Sequence, residues 1–146
     1  MNPMEKFGKF FVENCRDKAL DHLRLILDGH WKTPELQRLQ NKASSLSPEL
    51  KATVYELADE LLTQAMTDLL FAFHMSHDNN LGIEIMVDGK PIANLSDGLH
   101  GNLFGKEGWI VRYSKVPSEA ETVRSLEFER FIKDMLKTEA ERDNGQ

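Results

Sequence analysis

Apolar residues recur at three- and four-residue intervals from residue 3 to residue 28. Phe7, Phe11, Cys15, Ala19, Leu23 and Ile26 fall on one side, and Lys6, Lys9, Glu13 and Arg24 on the other. That period predicts an amphipathic helix, and Gly29, just past the last periodic residue, supplies its stop. Two further helix starts are built alike. Thr33-Pro34-Glu35-Leu36 and Ser47-Pro48-Glu49-Leu50 each offer a capping hydroxyl, a proline at the first helical position and an early acid for the positive helix end. They predict a short helix over 34–45 and a long one over 48–76. The long helix is expected to bury Val54, Ala58, Leu61, Ala65, Leu69, Ala72 and Phe73.

After Leu81 the period changes. Ile83 to Val87 and Lys90 to Leu95 flank Asp88-Gly89, a pair suited to the positive φ angles of a two-residue hairpin turn. Trp109 to Tyr113 reads as a third strand, and Ser118-Glu119-Ala120-Glu121 as a capping box opening a helix over 118–141. The expected architecture is a single α+β domain over residues 1–146. Three N-terminal helices, the third long and central, precede a three-stranded antiparallel sheet over 83–113 with its hairpin at Asp88-Gly89. A long C-terminal helix and a frayed tail over 142–146 complete it.

Composition narrows the class. The chain has 146 residues, 40% of them hydrophobic and 29% charged, with a formal charge of −6. No apolar run approaches the roughly 18–20 residues that a membrane span needs. The N-terminal MNPMEKFGKFF interrupts with charge and glycine what a secretory signal would keep apolar. Cys15 is the one cysteine, so no internal disulfide forms and a reducing, cytoplasmic setting is expected. The net acidity works against a phosphate-binding surface and hence against nucleic acid.

The acidity is local. Residues 1–48 carry six acids and eight bases, whereas 49–83 carry Glu49, Glu56, Asp59, Glu60, Asp68 and Asp78 against Lys51 alone. An acidic face on the long helix, with Glu56, Asp59 and Glu60 as its contact residues, would attract a basic protein partner. The leading expectation is therefore a non-catalytic protein-binding module of immunity or regulatory type, without a cofactor.

The alternative is a small hydrolase or metal-binding protein. His74 and His77 stand three apart at the end of the long helix, a spacing that could share a metal ion, with Asp78, Glu84 or His100 as further ligands. The His77-Asp78 pair is similar to the doublet of metal-dependent phosphohydrolases. That family is all-helical, so strands after residue 81 argue against it. In the glycine-rich loop 96–108, Asp97 and His100 could serve as an acid–base pair, although no nucleophile accompanies them. The bland reading of this loop is a crossover that Leu99, Leu103 and Phe104 plug onto the core. His22 and Asp68 fall in or beside apolar stripes and are expected to find core hydrogen-bond partners. Val123 and Leu126 lie off the Phe128, Phe131, Ile132, Met135 and Leu136 stripe of the last helix, which suggests a homodimer contact.

Overall fold

The computed structural model describes residues 1–116 and 130–137. The first helix forms where the period places it, but in three parts: α1 (Pro3–Phe11), a π-helical turn (Val12–Asp17) and α2 (Lys18–Leu27). Asn2 caps α1, its Oδ1 accepting from the Glu5 N–H at 2.9 Å while Glu5 accepts from the Asn2 N–H. The π turn holds one residue more than an α turn. Beyond Phe11, which stays buried beside Val12, the buried series therefore moves from Cys15 and Ala19 to Arg16 and Leu20, and Ala19 faces solvent. Helices α3 (Pro34–Ala43) and α4 (Pro48–Asp78) follow as their prolines predict. Ser47 makes the expected cap by accepting from the Leu50 N–H, whereas the Thr33 side chain caps nothing.

The three-stranded sheet is not there. Of the described residues 71% are helical, and the strands among them are β1 (Met86–Val87) and β2 (Lys90–Pro91), antiparallel, with Met86 opposite Pro91. Their turn is as expected: Asp88 and Gly89 both take positive φ, +51° and +75°, as a type I′ turn demands. Beyond the turn the backbone coils into two 3-10 helices, Ile92–Leu95 and Leu99–Leu103. The supposed third strand is a short helix, α5 (Trp109–Tyr113). Five apolar residues do not distinguish strand from buried helix by periodicity. Here Gly108 decides, because its backbone lies against the Phe104 carbonyl and Trp109 then turns inward. The long C-terminal helix is also corrected: residues 130–137 are helical, and the remainder of 118–141 lies outside the described residues.

The core gathers Phe11, Val12, Met66, Leu70, Ile92, Leu99, Leu103, Trp109 and Ile110. Leu99 and Leu103 do plug the glycine-rich loop onto α4, while Phe104 stays 38% exposed. Phe7 stacks on Phe11 at 5.3 Å between ring centroids and meets Trp109 edge-on at 5.8 Å. Gly8 permits this approach: a Cβ there would lie 2.5 Å from the indole.

One buried polar cluster joins three parts of the chain. Arg16, 1% exposed, donates from Nη2 to Asp59 Oδ2 at 3.0 Å and from Nη1 to Ser114 Oγ at 2.7 Å. Asp17 accepts from the Ser114 hydroxyl at 2.6 Å and from the Lys115 N–H at 2.7 Å. The Val116 carbonyl accepts from Arg16 as well. The π turn, α4 and the chain after α5 are thus locked together.

Two outcomes follow. Gly8→Ala should lower stability by about 1–3 kcal/mol in urea unfolding, through overpacking against Trp109; an unchanged midpoint would refute the close approach. Asp59→Ala should cost about 3–5 kcal/mol because it strands a buried guanidinium, and the double change Asp59→Leu with Arg16→Met should restore much of it. Simple additivity of the two single changes would refute the coupling.

Candidate functional site

Helix α4 presents apolar side chains on two opposite sides. Its inner side buries Asp59, Thr63, Met66 and Leu70. Its outer side carries Leu50, Leu57, Leu61 and Met75, exposed between 40% and 72%, while the exposed Leu69 and Phe71, two residues apart, stand on its opposite flanks. The expected core stripe is therefore corrected. Leu61 and Leu69 face outward and Ala65 and Ala72 are exposed with them, so the helix is turned about a third of a revolution from the expectation. The turn is set by Asp59. Residues two apart on an α-helix point about 200° apart, so an inward Asp59 sends Leu57 and Leu61 outward.

This also corrects the acidic face. Glu56 and Glu60 are exposed, but Asp59 is 6% exposed and paired with Arg16, so it is no contact residue. Asp68 is exposed and accepts from Gln64 Nε2 at 2.8 Å. Glu60 stands beside the outer apolar residues, Asp68 falls among them between Leu61 and Met75, and Glu56 lies further round; they do not form a uniformly acidic surface. From Leu50 to Met75 the stripe is about 38 Å long at the helical rise. At its N-terminal end lies an apolar cleft of about 320 Å³ between α2, α3 and α4, lined by Leu23, Ile26, Leu39, Leu46 and Val54, with Lys42 at its rim.

The chemistry-bearing residues at the other end of α4 do not assemble. His77 turns to Glu84, with Nδ1 and Oε1 at 2.7 Å, rather than to His74. His74 Nε2 stands 3.6 Å from Asp78 Oδ2, and its ring is largely buried instead of lying on an open polar face. His100 packs edge-on against Phe71 at 5.3 Å, while Asp97 is exposed and makes no hydrogen bond to it. Among the described residues no three His, Cys, Asp or Glu side chains come together as metal ligands. The phosphohydrolase likeness gains no ligand set, and the β1–β2 hairpin that follows the doublet still argues against it.

The other singled-out residues have ordinary places. His22 is exposed and tilts onto Trp31, with ring centroids 5.3 Å apart. Cys15 packs beside the core, and burial raises its thiol pKa, which disfavours the reactive thiolate. Val123 and Leu126 lie outside the described residues. No described helix is long and apolar enough to cross a membrane. Of this cluster the sequence singles out Asp59 alone, and as a surface contact; Arg16, Asp17 and Ser114 carry no such mark. The available signal was a basic residue one position from an apolar stripe, which the π turn converts into a buried one.

Comparison with protein-family models, with curated proteins and with solved structures gives no match, so no relative lends a function to these residues.

Glu84 holds the His77 imidazolium: the hydrogen bond that its carboxylate accepts from the ring, aided by Asn94 and the charge of Asp78, raises the His77 pKa above its ordinary value. Because the folded value is the higher one, the pair stabilises the protein fully below the unfolded histidine pKa. That contribution disappears as pH rises through the folded value. In an NMR titration His77 should therefore release its proton later than an unperturbed histidine, and Glu84→Gln should bring its midpoint down. An unmoved midpoint in the variant would remove Glu84 as the cause.

Proposed function

We propose that the chain is a non-catalytic protein-binding module whose docking surface is the outer side of α4, with Glu60 beside its apolar residues and Asp68 among them. The observation that carries this reading is the set of large apolar side chains Leu50, Leu57, Leu61 and Met75, exposed together on one helix face. Scattered exposed leucines are ordinary, but a contiguous row rimmed by charge is what a protein contact requires. The apolar row supplies the area that dehydrates on binding, and its acidic border selects a partner of opposite charge and speeds encounter. Asp59 acts behind this surface by fixing its rotation. The hydrolase alternative has no comparable support, since its side chains stay apart.

The test begins with capture of a partner from the native host and continues with the purified pair. Leu57→Asp combined with Leu61→Asp should weaken binding by about 100-fold or more, as loss of two central apolar anchors does. Glu56→Lys should chiefly slow association at low salt. Phe10→Asp, at an exposed aromatic on α1, should leave the affinity unchanged. If the partner still binds the Leu57/Leu61 variant at full strength, the outer side of α4 is not the docking surface.

A further inference from the structure

Helices α3 and α4 both pack on α2 but little on one another, and the wedge between them is the apolar cleft of about 320 Å³. Leu23 and Ile26 from α2, Leu39 and Ala43 from α3, and Leu46 and Val54 line it. Ile26 and Ala43 are buried, whereas Leu39 is 45% exposed. Among the described residues Lys42 is the one charged side chain on its wall, and it is exposed. Water in such a hollow finds few polar partners, so an apolar occupant gains by replacing it.

The fold itself does not use the Lys42 ammonium. A lysine in the last turn of a helix commonly serves the unpaired carbonyls there. In α3 those carbonyls already have donors. Gln40 O accepts from the Ser44 N–H and Ala43 O from the Leu46 N–H, while the Asn41 and Lys42 carbonyls accept from the hydroxyls of Ser44 and Ser45. Lys42 has no acidic partner among the described residues. A second ammonium stands at the same lip, since Lys51 Nζ donates to the Leu27 carbonyl at 3.4 Å and Leu27 lines the cleft. Asp28, the next residue, is paired with Arg24 at 3.3 Å.

We infer that this cleft binds a free medium-chain alkyl carboxylate, its chain lying between α2, α3 and α4 and its carboxylate meeting Lys42. The volume sets the chain length. It equals that of roughly ten waters in the liquid, at about 30 Å³ each, and a methylene takes nearly the same room. It falls at the small end of ligand cavities. A single leucine or phenylalanine side chain of a protein partner would leave much of it unfilled. The charge sets the head group. A carboxylate at the lip stays hydrated while gaining an ammonium, whereas a cationic head meets like charge at both Lys42 and Lys51. This site is independent of the docking surface. Val54 stands within a sixth of a turn of Leu50, Leu57 and Leu61 on α4, but none of those three lines the cleft.

The experiment is titration of the full chain with butanoate, hexanoate and octanoate, followed by calorimetry and by amide NMR spectra. Affinity should rise about fourfold for each added methylene, and the shifted amides should be those of Ile26, Ala43 and Val54. Lys42→Met should weaken octanoate about two- to fivefold and leave octanol unchanged. Leu39→Glu, which sets a carboxylate in the wall, should weaken octanoate about tenfold or more. Both substitutions are at exposed positions, and far-UV circular dichroism shows that each variant keeps its fold. Phe10→Asp, remote on α1, should change nothing. Octylammonium that binds as tightly as octanoate, an affinity that stays flat along the chain series, or shifts confined to other amides overturns the proposal. A spectrum that octanoate leaves unmoved overturns it too, and sedimentation of the protein with phosphatidylglycerol vesicles would then assign the acyl chain to a membrane. Loss of a protein partner on Leu57/Leu61 substitution bears on the docking surface alone.

Discussion

A guanidinium placed inside a protein constrains everything around it. Arg16 is 1% exposed, and a charge so far from water is tolerable only if acids and carbonyls surround it. Asp59, Asp17, Ser114 and the Val116 carbonyl meet that demand from three stretches of chain that share no local sequence. Such a cluster adds little net stability over a well-packed apolar one, because desolvation offsets most of the attraction. Its effect is specification. Only one rotation of α4 brings Asp59 to Arg16, and only one path after α5 brings Ser114 between Arg16 and Asp17.

That single rotation has a cost that α4 displays openly. With Asp59 inward, Leu57 and Leu61 must point outward, and the row continues to Leu50 and Met75. An ion pair in the core and an apolar surface outside are thus two ends of one geometric fact. A helix with apolar residues on both sides could bury either; here the carboxylate chooses. This is why the exposed apolar side of α4 and the core cluster are coupled.

The helices were legible because prolines, caps and a glycine stop are local signals, and the Asp88-Gly89 turn was legible for the same reason. What the sequence could not reveal depended on partners far away. The rotation of α4 was misread because its stripe of Val54, Leu61 and Leu69 is as apolar as the side it buries. The π turn shifted the first helix by one residue, exchanging Ala19 for Leu20 and bringing Arg16 inside. Trp109 to Tyr113 carries strand-forming side chains, yet its contacts with Phe7 and Gly8 hold it as a helix. Tertiary packing overrides propensity most easily in segments this short. Of the three acids that charge alone singles out on the long helix, Glu56 and Glu60 are exposed. Asp59 was misplaced because counting charges along a helix says nothing about which of them a distant arginine will claim.

An apolar stripe about 38 Å long on an exposed helix would be a hazard if it bound anything apolar. Its acidic border limits that. Asp68 stands among the outer apolar residues and Glu60 beside them, so an apolar surface approaching the stripe must either leave these carboxylates in water or strip them of it at considerable cost. A second acidic stripe is repelled outright. A basic amphipathic helix meets neither obstacle, because its ammonium and guanidinium groups reach the carboxylates at the solvent edge while its apolar side covers the leucines. The same acids that make the surface look like a simple charged face thereby discriminate among apolar partners. The net charge concentrated on α4 is better understood as that filter than as the source of binding strength, which area and anchor residues supply.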